Sequence, residues 1–442
     1  MKLPMSLFRS AKTKKVRPVK SLSGSVRLPG DKSISHRYAM LAAIAEGESR
    51  IHFFSSSADC QSTLECLGKL GVRVARSDGI VTIQGAGLRG LRPPASKLDA
   101  GNSGSTMRML SGILAGQSFR SVMVGDASLS RRPMKRIIDP LSQMGARLKS
   151  NEGGLPPLEI DGGTLEAIRY QLPIPSAQVK TAILLAGLYA EGDTEIVEPI
   201  ATRDHTEIAL EHMGAPIARH GQTILVRGMR EKGCHLDAKA LYVPGDISAA
   251  AFFIIGGLLV PDSSLALENV GLNPTRTAIL DLLLSMGARI RIQNVELTHG
   301  ELIGDLQVET SQLNGGEIPV EMIPGLIDEL PALAVLGTQT TLGLTFRGAA
   351  ELRVKESDRI KAVAENLRRM GAEVEELPDG LHVPGKQPLR GAEVDSYGDH
   401  RIAMAFAVAG LLAQGTTLIR DSGCVEISFP DFFEVLDGVA KT

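Results

Sequence analysis

Apolar positions recur along the chain in one order: a stretch at helical spacing, a glycine, then residues that alternate. The strings LGKLGVRV, LSQMGARL, LEHMGAPI, LLSMGARI and LRRMGAEV begin at residues 67, 141, 210, 283 and 367, so they lie 74, 69, 73 and 84 residues apart. Before the glycine, Ile137, Ile138, Leu141 and Met144 recur every three or four residues; after it, Val72 and Val74, or Ile290 and Ile292, alternate. That change of period predicts a helix followed by a strand. The glycine suits the position just past a helix end, where a left-handed backbone costs a residue without Cβ nothing. FEVLDGVA at 433–440 reads as a truncated sixth copy. Units of about 70 residues are too long for a solenoid and predict small α/β subdomains. Helix–strand alternation would equally suit a doubly wound sheet, so periodicity leaves the assembly open.

One apolar run, AAAFFIIGGLLV from Ala249 to Val260, has twelve residues. A membrane helix needs roughly eighteen or more, so it reads as a buried helix and no membrane association is expected. The 442 residues give a soft prior of about three ordinary domains or two large ones. At 43% hydrophobic and 22% charged, the chain is a globular protein with substantial cores rather than a disordered one. A net charge of -2 removes the electrostatic case for a nucleic-acid partner, so any anion site must be local. Cys60, Cys66, Cys234 and Cys424 lack close pairing, which predicts buried thiols in a reduced, cytoplasmic compartment. The nine histidines show no ligand spacing; no metal or other cofactor is expected. Lys2, Arg9, Lys12, Lys14, Lys15, Arg17 and Lys20 occur without an acid among the first twenty residues. They predict a solvated basic tail, an organelle presequence being the lesser reading.

Chemistry concentrates in a few stretches. LPGDKSISHR at 28–37 gathers Lys32, Ser33, Ser35, His36 and Arg37 after a Pro-Gly turn. It is not a nucleotide P-loop, which needs glycine directly before the lysine, where Asp31 stands. GNSGSTMR at 101–108 precedes an apolar helix over Met107–Leu114 and suits a helix start that attracts anions; a plain capped helix with solvated Arg131 and Arg132 is the competing reading. PSAQVK at 175–180 places Ser176 as an N-cap and Gln178 in the first turn, and TRDHTE at 202–207 reads as another capped start, with Arg203 on a surface acid or an anion. In ELRVKESDR (351–359), Ser357 reads as the cap and Arg359 falls in the first turn; Arg401 likewise opens an apolar helix. A cation there opposes the helix dipole, so several such arginines together invite a ligand explanation. Surface ion pairs are the alternative for each singly.

GDKSISHR, SAQVK, RDHTE, NPTR at 273–276, LRVKESDR and DHR, in that order, resemble the 5-enolpyruvylshikimate-3-phosphate synthase family from about residue 20 to 442, and the first four together resemble its bacterial class II form. The resemblance implies an α/β, or α+β, fold: a two-domain inside-out barrel of six βαβαββ subdomain repeats, helices buried and sheets outside, the enolpyruvyl transferase fold. It implies one discontinuous domain of residues 1–27 plus 246–442 and a second of 28–245, VPGDIS at 243–248 echoing LPGDKSIS at the two crossings, with the active site in the cleft between. It assigns Lys32, Ser33, Arg37, Ser176, Gln178, Arg203, Asp328 and Lys355 to shikimate 3-phosphate. It assigns Lys32, Asn102, Gly104, Arg132, Gln178, Arg359 and Arg401 to phosphoenolpyruvate, Asn102 holding the loop.

The implied reaction joins the shikimate 5-hydroxyl to carbon 2 of phosphoenolpyruvate, protonates carbon 3 and expels phosphate from a tetrahedral intermediate, serving aromatic amino-acid biosynthesis. Glu356 is expected to deliver the carbon proton, Asp328 to accept the hydroxyl proton and Lys32 to stabilise developing charge or share the proton work. A monomer is expected. Two departures stand out. Family members often carry lysine before the final Phe-Pro, where EISFP at 426–430 offers Ile427 and Ser428. Gly104 leaves room for the inhibitor glyphosate, while class II membership argues for tolerance. A related transferase acting on UDP-N-acetylglucosamine uses a loop cysteine, and none lies between Cys66 and Cys234. A non-catalytic phosphometabolite binder would be expected to lose Asp328 or Glu356.

Overall fold

A computed structural model describes residues 12–77, 79–229 and 233–442. The repeated glycine signal is realised at all five full copies. Gly71, Gly145, Gly214, Gly287 and Gly371 have φ between +82° and +97°. In each copy the residue after the glycine donates back to the carbonyl five residues earlier, as Val72 does to Leu67 and Ala372 to Leu367. This double-bonded stop satisfies carbonyls that a helix end leaves open. The sixth copy differs: Gly438 lies inside the helix Phe432–Val439, and strand Ala440–Lys441 follows with no glycine between.

The chain divides into two units, one of Met1–Leu28, Gly245–Val295 and Gly304–Thr442, the other of Pro29–Pro244 and Glu296–Ile303. The short return of residues 296–303, the tip of the hairpin formed by Arg289–Thr298 and Glu301–Glu309, has no counterpart in the repeat pattern.

The Pro29–Pro244 unit holds helices α1 (Lys32–Ile44), α2 (Ala58–Lys69), α3 (Gly104–Ala115), α4 (Lys135–Gln143), α5 (Ala177–Gly187) and α6 (His205–His212). α1, α3 and α5 are buried on nearly every side and α3 packs on both others, as helices without a polar face must. Gly112 makes the α3–α5 approach possible, since a Cβ there would lie 2.1 Å from the Ala182 carbonyl oxygen. Three four-stranded sheets screen the helices. Glu46–His52, Arg120–Val124 and Asp193–Val197 each pair parallel with a short strand on one side and antiparallel with a hairpin on the other.

The Gly245–Thr442 unit follows the same plan with α7 (Ile247–Leu259), α8 (Ala278–Ser285), the single turn α9 (Ile323–Leu326), α10 (Leu330–Gly337), α11 (Arg359–Arg369), α12 (His400–Leu412) and α13 (Phe432–Val439). Here α7, α10 and α12 are the buried trio and pack mutually. α7 is the helix expected over Ala249–Val260. The order is therefore helices inside, sheets outside, within each unit.

Two expectations need correction. Lys14–Val16 is not a solvated tail: it pairs antiparallel with Thr417–Ile419, and Val16 is buried against α12. Lys12, Arg17 and Lys20 are exposed as expected, and residues 1–11 of that stretch lie outside the described residues. Cys60, Cys66 and Cys424 are buried free thiols, but Cys234 is exposed. No helix among the described residues is long and apolar enough to cross a membrane.

Candidate active site

In the Pro29–Pro244 unit the flagged residues gather at the starts of buried helices. The PGD turn leads straight into α1, where Asp31 caps the helix by accepting from Ile34 N at 2.9 Å. Gly30 is obligatory, because a Cβ would sit 1.8 Å from the Phe53 carbonyl oxygen. Lys32, the first residue of α1, pairs through Nζ with Asp59 Oδ2 at 2.9 Å, and both side chains keep only slight exposure. Ser33 Oγ accepts from Arg203 Nη1 at 3.1 Å. Ser176 caps α5, and Gln178 in its first turn accepts from Arg108 Nη1 and donates to Ser105 Oγ, each at 2.9 Å.

The GNSG turn behaves as a built loop. Asn102 donates to Asp126 Oδ2 at 2.8 Å and accepts from Arg132 Nη2 at 2.8 Å. Arg132 is 7% exposed, so the solvated-arginine reading fails for it while holding for Arg131. Ser103 caps α3, and a Cβ on Gly104 would lie 2.8 Å from Arg108 Nη1 and 3.6 Å from Arg132 Nη1.

Arg37 departs from expectation. It is 3% exposed, and it donates from Nε to Thr206 Oγ1 at 2.7 Å, from Nη1 to the Ser33 carbonyl at 2.8 Å and from Nη2 to Thr181 Oγ1 at 3.0 Å. Its guanidinium braces α1 against α5 and α6. Beside it, His36 is wholly buried on a chain of hydroxyls, Nδ1 meeting Thr63 Oγ1 at 2.7 Å and Thr63 meeting Thr106 at 2.6 Å. Burial first, then Lys32 and Arg37, pulls the His36 pKa well below its ordinary value.

The Gly245–Thr442 unit builds a second set around Arg359, which is 1% exposed. Its Nε donates to Asp399 Oδ2 at 2.8 Å and its Nη2 to Glu356 Oε2 at 2.6 Å. Nη1 lies 3.5 Å from Asp328 Oδ1 and, among the described residues, has no hydrogen-bond acceptor. Burial pulls the Arg359 pKa down, but Asp399, Glu356 and Asp328 outweigh that and raise it. Asp358, not Ser357, caps α11; Ser357 donates to Asp399 instead. Arg401 donates from Nη1 to the Asp328 carbonyl at 2.9 Å and reaches Asp328 Oδ2 at 3.6 Å. Asp399 also caps α12 by accepting from Arg401 N at 2.9 Å, while the two guanidiniums that oppose helix dipoles, those of Arg359 and Arg401, both approach Asp328. Lys355 is partly buried, and desolvation lowers its pKa against the pull of Asp328, Glu351 and Glu356. Glu329, buried on Ser248 Oγ, has its pKa raised by desolvation.

Sequence reasoning missed Arg108, Asp399, Glu329 and Lys180. Arg108, Lys180 and Asp399 lie inside quoted motifs, GNSGSTMR, SAQVK and DHR, where a charge beside an already suspected residue was the available signal.

Buried helices screened by outer sheets in two units are the architecture of the enolpyruvyl transferases. The solved EPSP synthases of Acinetobacter baumannii share the fold, one at 43% identity and a TM-score of 0.86, the other at 42% and 0.85, each comparison covering 98% of this chain and 99% of that one. The family model for EPSP synthase (3-phosphoshikimate 1-carboxyvinyltransferase) matches residues 16–436. Proteins named 3-phosphoshikimate 1-carboxyvinyltransferase from Solibacter usitatus and Koribacter versatilis are 55% and 52% identical, each covering 97% of this chain and 100% of the relative. The chain belongs to the EPSP synthase family.

Proposed function

We propose that the chain transfers the enolpyruvyl group of phosphoenolpyruvate to the 5-hydroxyl of shikimate 3-phosphate and releases phosphate, acting as a cytoplasmic monomer. Family membership over nearly the full chain is the observation that carries the reading. We assign Ser33, Ser176, Gln178, Arg203 and Lys355 to shikimate 3-phosphate, with Arg37 acting through the helix starts it braces. Arg132, Arg359 and Arg401 take the phosphate and carboxylate of phosphoenolpyruvate, whose geometry suits guanidinium forks. Gly104 and Asn102 shape that site, and Lys32 serves both substrates. The two substrates are polyanions, which repel one another unless cations offset their charge.

The chemistry divides between two carboxylates. Asp328 accepts the hydroxyl proton as the 5-oxygen attacks carbon 2. Glu356 gives a proton to carbon 3. An anion engaging Arg359 weakens that cation's hold on Glu356 and adds negative charge beside it, and both effects favour the protonated acid. Carbon 3 then returns a proton to the Glu356 carboxylate as the C–O bond to phosphate breaks and the enol double bond re-forms, the charge of the departing phosphate being met by the arginines and Lys32. Phosphate release from the purified protein tests the reading: it is expected only when both substrates are present. No release, with tight shikimate 3-phosphate binding by calorimetry, would leave a binder.

A further inference from the structure

The SAQVK motif ends on a residue that the chemistry above does not use. Lys180 lies in α5, one turn beyond the cap Ser176 and two residues beyond Gln178, and its side chain is completely buried. Nζ reaches Glu198 Oε2 at 3.1 Å and Glu207 Oε1 at 2.7 Å, two carboxylates that are themselves at most 10% exposed. Nζ also donates to the Thr202 carbonyl at 3.4 Å. Glu198 closes the ring by accepting from Thr202 N at 2.8 Å and from Thr202 Oγ1. Thr202 immediately precedes Arg203, whose Nη1 donates to Ser33 Oγ.

A lysine in so dry a place costs several kcal/mol in desolvation unless its partners are well placed, and an apolar residue would pack there at no such cost. Burial raises the Glu207 pKa, with Lys180 pulling the other way. The geometry of the triad suggests what it secures. α5 and α6 start on either side of it, and the segment 198–204 that joins strand Asp193–Val197 to α6 has Glu198 and Lys180 as its clamps. The neighbouring Thr181–Thr206 contact at 2.6 Å ties the same two helices together, one residue after Lys180 in α5 and one before Glu207 in α6.

We propose that Lys180 is a positioning residue: held by Glu198 and Glu207, it fixes the segment 198–204 so that Arg203 meets Ser33 in the geometry that shikimate 3-phosphate requires. The inference rests on the assignment of Arg203 and Ser33 to that substrate. Lys180→Met keeps the length and removes the charge. It is expected to weaken shikimate 3-phosphate binding by about tenfold, the loss of one charge-assisted hydrogen bond, with kcat at saturation changed less than about threefold.

A role through Arg203 makes the two changes non-additive. In an Arg203→Gln background, Lys180→Met should weaken binding by less than about twofold, while the fall in melting temperature is the same in both backgrounds. Glu198→Gln, a milder cut in the same clasp, is expected to repeat the pattern and is read in its place if Lys180→Met does not fold. Additive losses, or a folded Lys180→Met with unchanged affinity, overturn the inference while Arg203→Gln still weakens binding. If Arg203→Gln alone leaves affinity unchanged, the assignment of Arg203 falls, and the inference with it.

Discussion

Gly104→Ala separates binding geometry from fold stability. Gly104 opens α3 with no left-handed φ, so alanine suits the backbone and gains up to about 1 kcal/mol in helix propensity. The added Cβ meets one hard obstacle, Arg108 Nη1 at 2.8 Å, which is 0.6 Å inside the 3.4 Å at which ordinary contact begins. That atom ends a flexible side chain, so it moves and the helix does not. Moving it breaks its 2.9 Å bond to Gln178 Oε1, and the new methyl also stands 3.6 Å from Arg132 Nη1. A hydrogen bond to a charged group is worth about 1.5–3 kcal/mol, so kcat/KM for phosphoenolpyruvate should fall about 10- to 100-fold, mostly through KM. Inhibition by glyphosate should weaken alongside it. Steady-state kinetics with varied phosphoenolpyruvate, paired with thermal melting, gives both quantities. A KM within twofold of the parent, or a stability loss above about 2 kcal/mol, would refute this reasoning.

Glu356→Gln should abolish turnover while leaving shikimate 3-phosphate affinity close to the parent's, whereas Asp328→Asn should abolish turnover and weaken that affinity; unchanged phosphate release in either removes that residue from its role. Arg359→Met leaves Asp399, Glu356 and Asp328 without their shared cation and should cost about 3–5 kcal/mol in denaturant unfolding as well as activity; a stability loss below about 1 kcal/mol would show the carboxylates find other partners. Because the folded pKa of His36 is depressed, the unfolded chain binds its proton first as pH falls below the ordinary 6.5. The stabilisation is complete above that pH and is lost on acidification towards the folded pKa, at up to about 1.4 kcal/mol per pH unit. His36→Asn should flatten urea-derived stability between pH 7.5 and 5 by that amount, and equal slopes in the two proteins would contradict it.

What the sequence revealed was local. Glycines at helix ends act through their own φ, and a wholly apolar stretch such as Ala249–Val260 announces burial by itself, so helices and repeat were legible. The sixth copy misled because Gly438 resembles the motif yet keeps a helical conformation. Ser357 was a plausible cap beside Asp358, and its pairing with Asp399, 42 residues away, decides between them. Arg37 shows the same limit: its partners Thr181 and Thr206 are 144 and 169 residues distant. The resemblance could name functional residues, but which of them brace helices and which stand ready for ligand depends on contacts between segments far apart in the chain.

The central claim is that Lys32, Arg132, Arg359 and Arg401 hold the two anionic substrates. A crystal structure with shikimate 3-phosphate and glyphosate bound tests it most directly. The account predicts that Lys32 or Arg132 and Arg359 or Arg401 all lie within hydrogen-bond distance of the bound pair. Ligands bound with either of these pairs of cations out of reach would contradict it.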